Sequence, residues 1–308
     1  MERVVAVGNQ KIADGLVGLA GIRVEVVGSG PDGPSAPPSA AEVQVLVPPF
    51  LAGTAATRLL AELPRLELVQ LMTAGAESWT GLVPAGVQLC TARGAHGGAT
   101  AEWAVGALLA VLREFPHFAR LQAESRWDQH ATDELDGKRV LVIGAGDLGT
   151  QVRRRLEAFG VSVTMAARTA RPGVAAIDDV PGLLPDHDVV IVMVPLTSAT
   201  TGLVDAAFLS AMPNGAVLVN AARGPVVNSD ALLAELTAGR LRAALDVTDP
   251  EPLPADHPLW SAPGAFITPH VAGSVPGSMK RALAVVRAQL ERFAVGEPLQ
   301  NVVGDAGY

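Results

Sequence analysis

The stretch that most constrains this chain is Val140-Leu141-Val142-Ile143-Gly144-Ala145-Gly146-Asp147-Leu148-Gly149. Four apolar residues read as a buried strand, and glycines follow at once in G-x-G-x-x-G spacing. They open a helical pattern, Leu148–Phe159, that stops at Gly160. In that setting each glycine has its own task. The first permits the tight turn, the second lets backbone approach a pyrophosphate, and the third allows close packing of helix on strand. The helix N-terminus adds free N–H groups and a partial positive charge. The pattern predicts a dinucleotide site built on Gly144, Gly146, Asp147, Leu148 and Gly149.

The surrounding pattern agrees with a doubly wound sheet. Strands are predicted at Arg139–Ile143, Val161–Ala166, Val189–Val194, Ala216–Asn220, Leu241–Val247 and Ala265–Thr268. Helical stretches fall between them at Leu148–Phe159, Ala206–Met212 and Ser229–Ala238. Such alternation implies βαβ units, hence a parallel sheet with right-handed crossovers. Upstream, Val4–Val7, Val24–Val27, Val43–Val47 and Leu66–Leu71 read as buried strands, and Thr54–Glu62 as a helix. Gly28–Ala41, rich in Gly, Ser, Pro and Ala, reads as an exposed loop without structure of its own. A long helix is expected to start near Thr100, after a Gly/Ala-rich hinge at Gly94–Ala99, and a final one covers Met279–Phe293. The fold class is therefore α/β, and 308 residues suit two domains.

Composition narrows the ligands. Lys and Arg total 23 and Asp and Glu 31, so the net charge is 23 − 31 = −8. That balance argues against a broad nucleic-acid or anionic-membrane surface. The single cysteine, Cys90, can form neither an internal disulfide nor a cysteine metal cage and reads as a small buried residue. No metal site is expected. Met1-Glu2-Arg3 runs straight into an apolar strand, so no targeting segment is read there, and a reducing, cytoplasmic setting is expected.

Where NAD-binding proteins usually place a carboxylate for the ribose hydroxyls, this chain has Ala167-Arg168-Thr169-Ala170-Arg171. Two guanidinium groups and a hydroxyl suit a 2′-phosphate dianion, which points to NADP ahead of NAD. Three further polar positions close later strands: Arg223 after Asn220-Ala221-Ala222, Asp246 with the following Asp249-Pro250-Glu251-Pro252, and His270 after Thr268-Pro269. Singly, each reads as an ordinary turn charge, acidic loop or satisfied histidine. Together, beyond a dinucleotide fingerprint, they make an intelligible set. Arginine can grip a carboxylate bidentately, histidine can move a hydroxyl proton, and a carboxylate can orient that histidine.

The run from Val140 to Gly273 resembles the D-isomer-specific 2-hydroxyacid dehydrogenase family. Its glycine loop is joined by Val194-Pro195-Leu196-Thr197 with Thr200, Asn220-Ala221-Ala222-Arg223-Gly224, Leu245-Asp246-Val247 and Glu251-Pro252-Leu253. His257-Pro258-Leu259-Trp260 and Thr268-Pro269-His270-Val271-Ala272-Gly273 complete the series. The resemblance implies reversible reduction of a small 2-keto acid to a D-2-hydroxy acid, with an NADPH-using glyoxylate or hydroxypyruvate reductase as one kind of relative. Arg223 would bind substrate, His270 would be the acid/base and Glu251 its partner. Besides the glycine loop, Arg168, Thr169 and Arg171, the cofactor would meet Thr100, Val194, Pro195, Thr200, Ala221, Asp246 and Gly273. Thr73-Ala74-Gly75-Ala76 resembles the family loop whose N–H groups hold the substrate carboxylate, with Glu77 where Asp is more usual. Two further departures are Val194 in place of His and Ala167 in place of the ribose-binding Asp.

The resemblance also implies two Rossmann-like or flavodoxin-like domains with the site in the cleft between them. Residues 1–97 with 279–308 would form the substrate domain and 98–278 the dinucleotide-binding domain. Trp127 would lie in a dimerisation arm of a homodimer built through the latter. Two rival readings are a formate-dehydrogenase-like enzyme, which typically carries Gln in place of Glu251, and a redox-sensing corepressor that uses the fold as a binding module. No recruitment tail or basic face accompanies the second.

Overall fold

The computed structural model describes residues 2–30, 33–50 and 53–304, and the chain divides into two units, Met1–His96 with Pro276–Tyr308 and Gly97–Val275. In chain order the first unit contains β1 (Arg3–Val7), α1 (Gln10–Gly15), β2 (Ile22–Val26), β3 (Gly28–Gly30), β4 (Gly33–Ser35), β5 (Val43–Val47), β6 (Leu68–Gln70) and β7 (Gln88–Cys90). Its main sheet is parallel throughout, in the order β2-β1-β5-β6-β7. The C-terminal helix, Pro276–Val295, buries Ala282, Val286 and Leu290 in the same core as Val5, Val7, Ile12, Val45 and Val47. The opposite face of the sheet holds Val4, Ala6, Leu46 and Val69, packed with Ala56, Leu59, Leu60 and Leu63.

Several local expectations change. Gly28–Ala41 is not a plain loop, because β3 and β4 pair as a short antiparallel hairpin and a single 3₁₀ turn forms at Ala40–Glu42; residues 31 and 32 lie outside the described ones. The predicted helix at Thr54–Glu62 is a 3₁₀ helix, Gly53–Glu62. The apolar pairs Ala56/Leu59 and Leu60/Leu63 are three residues apart, a spacing that a three-residue turn serves as well as an α-helix. Two further elements of the first unit, α1 and β7, are not predicted, and in the second unit neither are the helices Phe115–Ala123 and Val180–Leu183. Helix α1 is a single capped turn, with the Asn9 side chain accepting from the Ile12 N–H at 3.0 Å, and that cap is the one signal it carries. Strand β7 has three residues, too few to show a period.

The second unit begins with α2 (Gly97–Leu112) and α3 (Phe115–Ala123), followed by β8 (Arg139–Ile143), α4 (Asp147–Leu156), β9 (Ser162–Ala167), β10 (Ala175–Ala176), α5 (Val180–Leu183) and β11 (Val189–Val192). Next come α6 (Ala206–Ala211), β12 (Val217–Asn220), α7 (Ser229–Thr237), β13 (Arg242–Leu245) and β14 (Ala265–Ile267). All seven strands are parallel, in the order β10-β9-β8-β11-β12-β13-β14. The strand β10, two residues at the sheet's edge, is an addition to the predicted six. Helix α2 starts at Gly97, three residues before Thr100, and takes in part of the expected hinge.

Burial on both sides explains why the central strands β8, β11 and β12 have no polar face. Leu141, Ile143, Val190, Val192, Leu218 and Ala243 enter one core, with Phe208, Leu209, Leu232 and Leu236 from the helices α6 and α7. The alternate residues Val140, Val142, Val189, Ile191, Val217 and Val219 enter another, with Ala104, Leu108 and Leu112 of α2 and Val152 and Leu156 of α4. Successive side chains point to opposite faces and both faces are covered, so the interior positions of β8, β11 and β12 are apolar without alternation. No helix among the described residues is long and apolar enough to cross a membrane.

Cys90 closes β7 with no exposure to solvent, and burial pushes its thiol up to about 11, against a smaller opposite pull from Gln289. The thiolate is the reactive species, so the native thiol is inert. An aromatic disulfide reagent at pH 8 should leave the folded protein unlabelled and should titrate a single thiol after denaturation; fast native labelling would contradict this burial.

Candidate active site

In the second unit the parallel strands deliver their carboxyl ends to one edge, and the glycine loop is the first element there. Gly144 has φ +111°, and a Cβ on it would stand 2.4 Å from the Met193 carbonyl oxygen. A Cβ on Gly149 would lie 1.7 Å from the Gly144 carbonyl oxygen, so helix α4 can press against the loop only through glycine. Gly146 is different. A Cβ there meets nothing within 4 Å, and no side chain caps the N-terminus of α4 at this residue. Open space beside a bare helix N-terminus is what a pyrophosphate requires, so these residues fit a dinucleotide. Asp147 opens α4, and its carboxylate lies toward Gly97 at the start of α2, where an added Cβ would be 2.1 Å from Oδ2; that oxygen is buried and accepts no hydrogen bond among the described residues. Leu148 is half-buried against the core shared by α2 and α4, and Thr100 is buried in the first turn of α2.

Strand β9 ends at Ala167, and Arg168, Thr169 and Arg171 follow on the surface. Arg171 is held at both ends. Its backbone exchanges hydrogen bonds with Val174 across a Pro172-Gly173 turn, and its guanidinium donates to the Ala145 carbonyl of the glycine loop at 2.8 Å. Beyond β11, the Thr200 hydroxyl donates to the Pro195 carbonyl at 2.6 Å and accepts from the Thr197 N–H at 2.8 Å, which closes the Val194–Thr200 loop on itself.

Strand β12 ends in a built turn. The buried Asn220 accepts from the Ala222 N–H at 3.0 Å and donates to the Arg223 carbonyl at 3.1 Å. Its side chain thus folds Ala221-Ala222-Arg223 into shape, and the Arg223 guanidinium donates to the Ala222 carbonyl at 2.6 Å. A Cβ on Gly224 would stand 1.8 Å from the Thr248 carbonyl oxygen, so this turn must pass the next loop as glycine.

The histidine loop hangs on one buried carboxylate. Asp246, 2% exposed at the end of β13, accepts at Oδ1 from the Thr268 hydroxyl (2.6 Å) and the Val271 N–H (2.9 Å), and at Oδ2 from the Ala272 N–H (2.9 Å). Its main-chain carbonyl takes the His270 N–H at 2.7 Å. These bonds hold His270 at φ +54°, a left-handed conformation that an L residue adopts at a cost. In that posture His270 Nδ1 lies 2.6 Å from Glu251 Oε1. A carboxylate can only accept, so Nδ1 carries the proton and Nε2 is left to face a ligand. The two side chains stay 43% and 41% exposed, open enough for a substrate to reach them. Gly273 follows, half-buried.

In the first unit, Ala74, Gly75 and Ala76 follow β6 at the carboxyl edge of that unit's own sheet. The Thr73 hydroxyl donates to the Gly75 carbonyl at 2.7 Å, and the three N–H groups of Ala74, Gly75 and Ala76 donate to no protein acceptor among the described residues. Side-chain tethering by Asn220, Asp246 and Arg171 was not read from the sequence as such. The signal available was a polar residue set directly after an apolar strand, which marks a strand-end site but not its partners.

An α/β protein with a glycine-loop dinucleotide cradle and a Glu–His pair at the sheet's carboxyl edge belongs to the class of nucleotide-dependent oxidoreductases in outline. The comparisons define it further. Residues 105–272 match the family described as D-isomer specific 2-hydroxyacid dehydrogenase, NAD binding domain. The chain is 34% identical over 260 residues to an uncharacterized protein of the proB 3′ region of Corynebacterium melassecola, covering 79% of this chain and 84% of that one. It is 36% identical over 177 residues to the glyoxylate/hydroxypyruvate reductase A of Citrobacter koseri, covering 56% of this chain and only 57% of that protein. A solved D-isomer specific 2-hydroxyacid dehydrogenase of Xanthobacter autotrophicus Py2, in complex with NADPH and MES, superposes with a TM-score of 0.83 at 30% identity, covering 99% of this chain and 98% of the other. The chain belongs to the D-isomer specific 2-hydroxyacid dehydrogenase family.

Replacing Asp246 with Asn turns one of its two acceptor oxygens into an NH2 group and leaves a buried donor facing another donor. The variant should unfold about 1–3 kcal/mol more easily in urea, the cost of leaving a buried polar group unpaired; a midpoint unchanged from the parent would show that the loop does not depend on this carboxylate.

Proposed function

We propose that the chain reversibly reduces a small 2-keto acid to a D-2-hydroxy acid, with NADPH preferred over NADH. The observation that carries the reading is the 2.6 Å Glu251–His270 contact at the edge where the glycine loop opens. Bound at Gly144–Gly149, a nicotinamide dinucleotide would supply or accept the hydride. The chain's residues do the rest. Arg223 grips the substrate carboxylate and draws electron density from the adjacent carbonyl. The N–H groups of Ala74–Ala76 are assigned to the same carboxylate. His270 gives its Nε2 proton to the carbonyl oxygen in reduction and takes it back in oxidation, while Glu251 holds Nδ1–H and stabilises the cationic ring. Thr100, Val194, Pro195, Thr200, Ala221, Asp246 and Gly273 are assigned to the cofactor's walls.

The NADP preference is supported by Arg168, Thr169 and Arg171 after β9 and by the NADPH held in the Xanthobacter relative. The name of the Citrobacter relative makes glyoxylate and hydroxypyruvate the first substrates to try. A homodimer built through the second unit is supported by Trp127 and Phe115, large apolar residues 93% and 58% exposed on it. A buried, unreactive single cysteine suits a reducing cytoplasm.

The test is a reductase screen of glyoxylate, hydroxypyruvate, pyruvate, phenylpyruvate and branched 2-keto acids with each cofactor. Turnover of at least one acid is expected, with higher kcat/KM for NADPH. His270→Gln should lower kcat by about 10²–10⁴-fold, and Arg168→Asp should move the preference toward NADH. Absence of turnover with every acid, or near-normal kcat in His270→Gln, would sink the assignment.

A further inference from the structure

His96 is a buried polar residue that the proposed chemistry does not use. It is 8% exposed, its ring stacks on Phe50 with centroids 6.0 Å apart and planes 28° apart, and Nε2 lies 2.8 Å from the Met72 carbonyl oxygen. A carbonyl only accepts, so Nε2 carries the proton and donates. Met72 immediately precedes the Thr73–Ala76 turn.

The segment from Cys90 to His96 holds that turn's entry at every residue. The Leu71 N–H donates to the Cys90 carbonyl at 2.8 Å, the Ala92 N–H to the Thr73 carbonyl at 2.8 Å, and His96 takes the carbonyl between them. Its own end of the segment is anchored in turn, because Arg281 Nε donates to the Ala95 carbonyl at 2.6 Å. Of the three tethers that this segment places on Leu71–Thr73, two are main-chain bonds. The third depends on a side chain, and so on the identity of one residue.

From this geometry we infer that His96 is a positioning residue for substrate recognition. By fixing the Met72 carbonyl it sets the direction of the turn that presents the N–H groups of Ala74, Gly75 and Ala76. The inference rests on the assignment of those N–H groups to the 2-keto acid carboxylate. A carboxylate accepting several N–H bonds is sensitive to their aim, since a hydrogen bond weakens steeply as it bends. The stack on Phe50 keeps the imidazole edge-on to the carbonyl, and burial keeps water from replacing it.

Three variants separate this role from plain stability. His96→Phe keeps the aromatic stack and removes the donor. His96→Asn keeps an amide that is too short to reach Met72, and it stands in if the Phe variant fails to fold. His96→Gln places an amide N–H near the position of Nε2. In steady-state reduction of the acid found best in the screen, His96→Phe and His96→Asn should raise its KM by about five- to tenfold, the worth of one hydrogen bond. Both should leave the Kd for NADPH, read by fluorescence, unchanged, and kcat should fall less than KM rises. His96→Gln should recover most of the KM. A lost fold without a recognition role would lower the melting temperature and active fraction while leaving KM alone. KM within twofold of the parent in the folded variants, or no recovery with Gln, overturns the inference and leaves the proposed activity standing. A parent protein that turns over no 2-keto acid removes the activity and this inference together.

Discussion

The carboxylate of Asp246 is the interaction on which the candidate site depends. It is buried at the end of β13, and it exists there because the residues after β14 bring it one hydroxyl and two N–H groups. A charge taken out of water is tolerable only when its lone pairs are filled, and here donors from a neighbouring strand's exit loop fill them. The same bonds compel His270 to a left-handed backbone, and so aim its ring at Glu251. Strain at one residue is thus held by several good hydrogen bonds at another. Asn220 works on the same principle one strand away, shaping the turn that carries Arg223. Polar side chains at strand ends act first as carpenters of loops, and the reactive groups stand on what they build.

Much of this frame is legible in the sequence itself. Runs such as Val189–Val192 announce strands covered on both faces, because no polar residue interrupts them, and the glycine spacing after Ile143 announces its helix. The ordered motifs from Gly144 to Gly273 placed the family. What escaped reading did so for physical reasons. A three-residue strand such as β7 has no measurable period, and a single-turn helix such as α1 shows only its cap. The hairpin of β3 and β4 is built from Gly, Ser and Pro, which carry no strand period, so its pairing is backbone chemistry that composition hides.

Partnerships across the chain were the least legible part. Asp246 bonds to groups 22, 25 and 26 residues away, and His96 to a carbonyl 24 residues away. Spacing along a chain says little about distance once strands cross over helices, so a strand-end aspartate could be placed at the sheet's edge but not given its donors. Arg171 shows the same limit. Two arginines beyond β9 suggest an anion, yet only the fold reveals that one of them also ties down the glycine loop at Ala145.

The double burial of the seven-stranded sheet has a further consequence. With alternate residues of β8, β11 and β12 committed to opposite cores, almost no position within those strands can change without opening a void or forcing a clash. The loops at the carboxyl edge carry no such debt to the interior, apart from a few glycines and strand-end polar residues. The molecule is therefore split into a part that must be inherited nearly whole and a fringe that can be rewritten residue by residue. A new substrate preference would be sought in that fringe, where a change of side chain alters what is held and leaves the scaffold that holds it untouched.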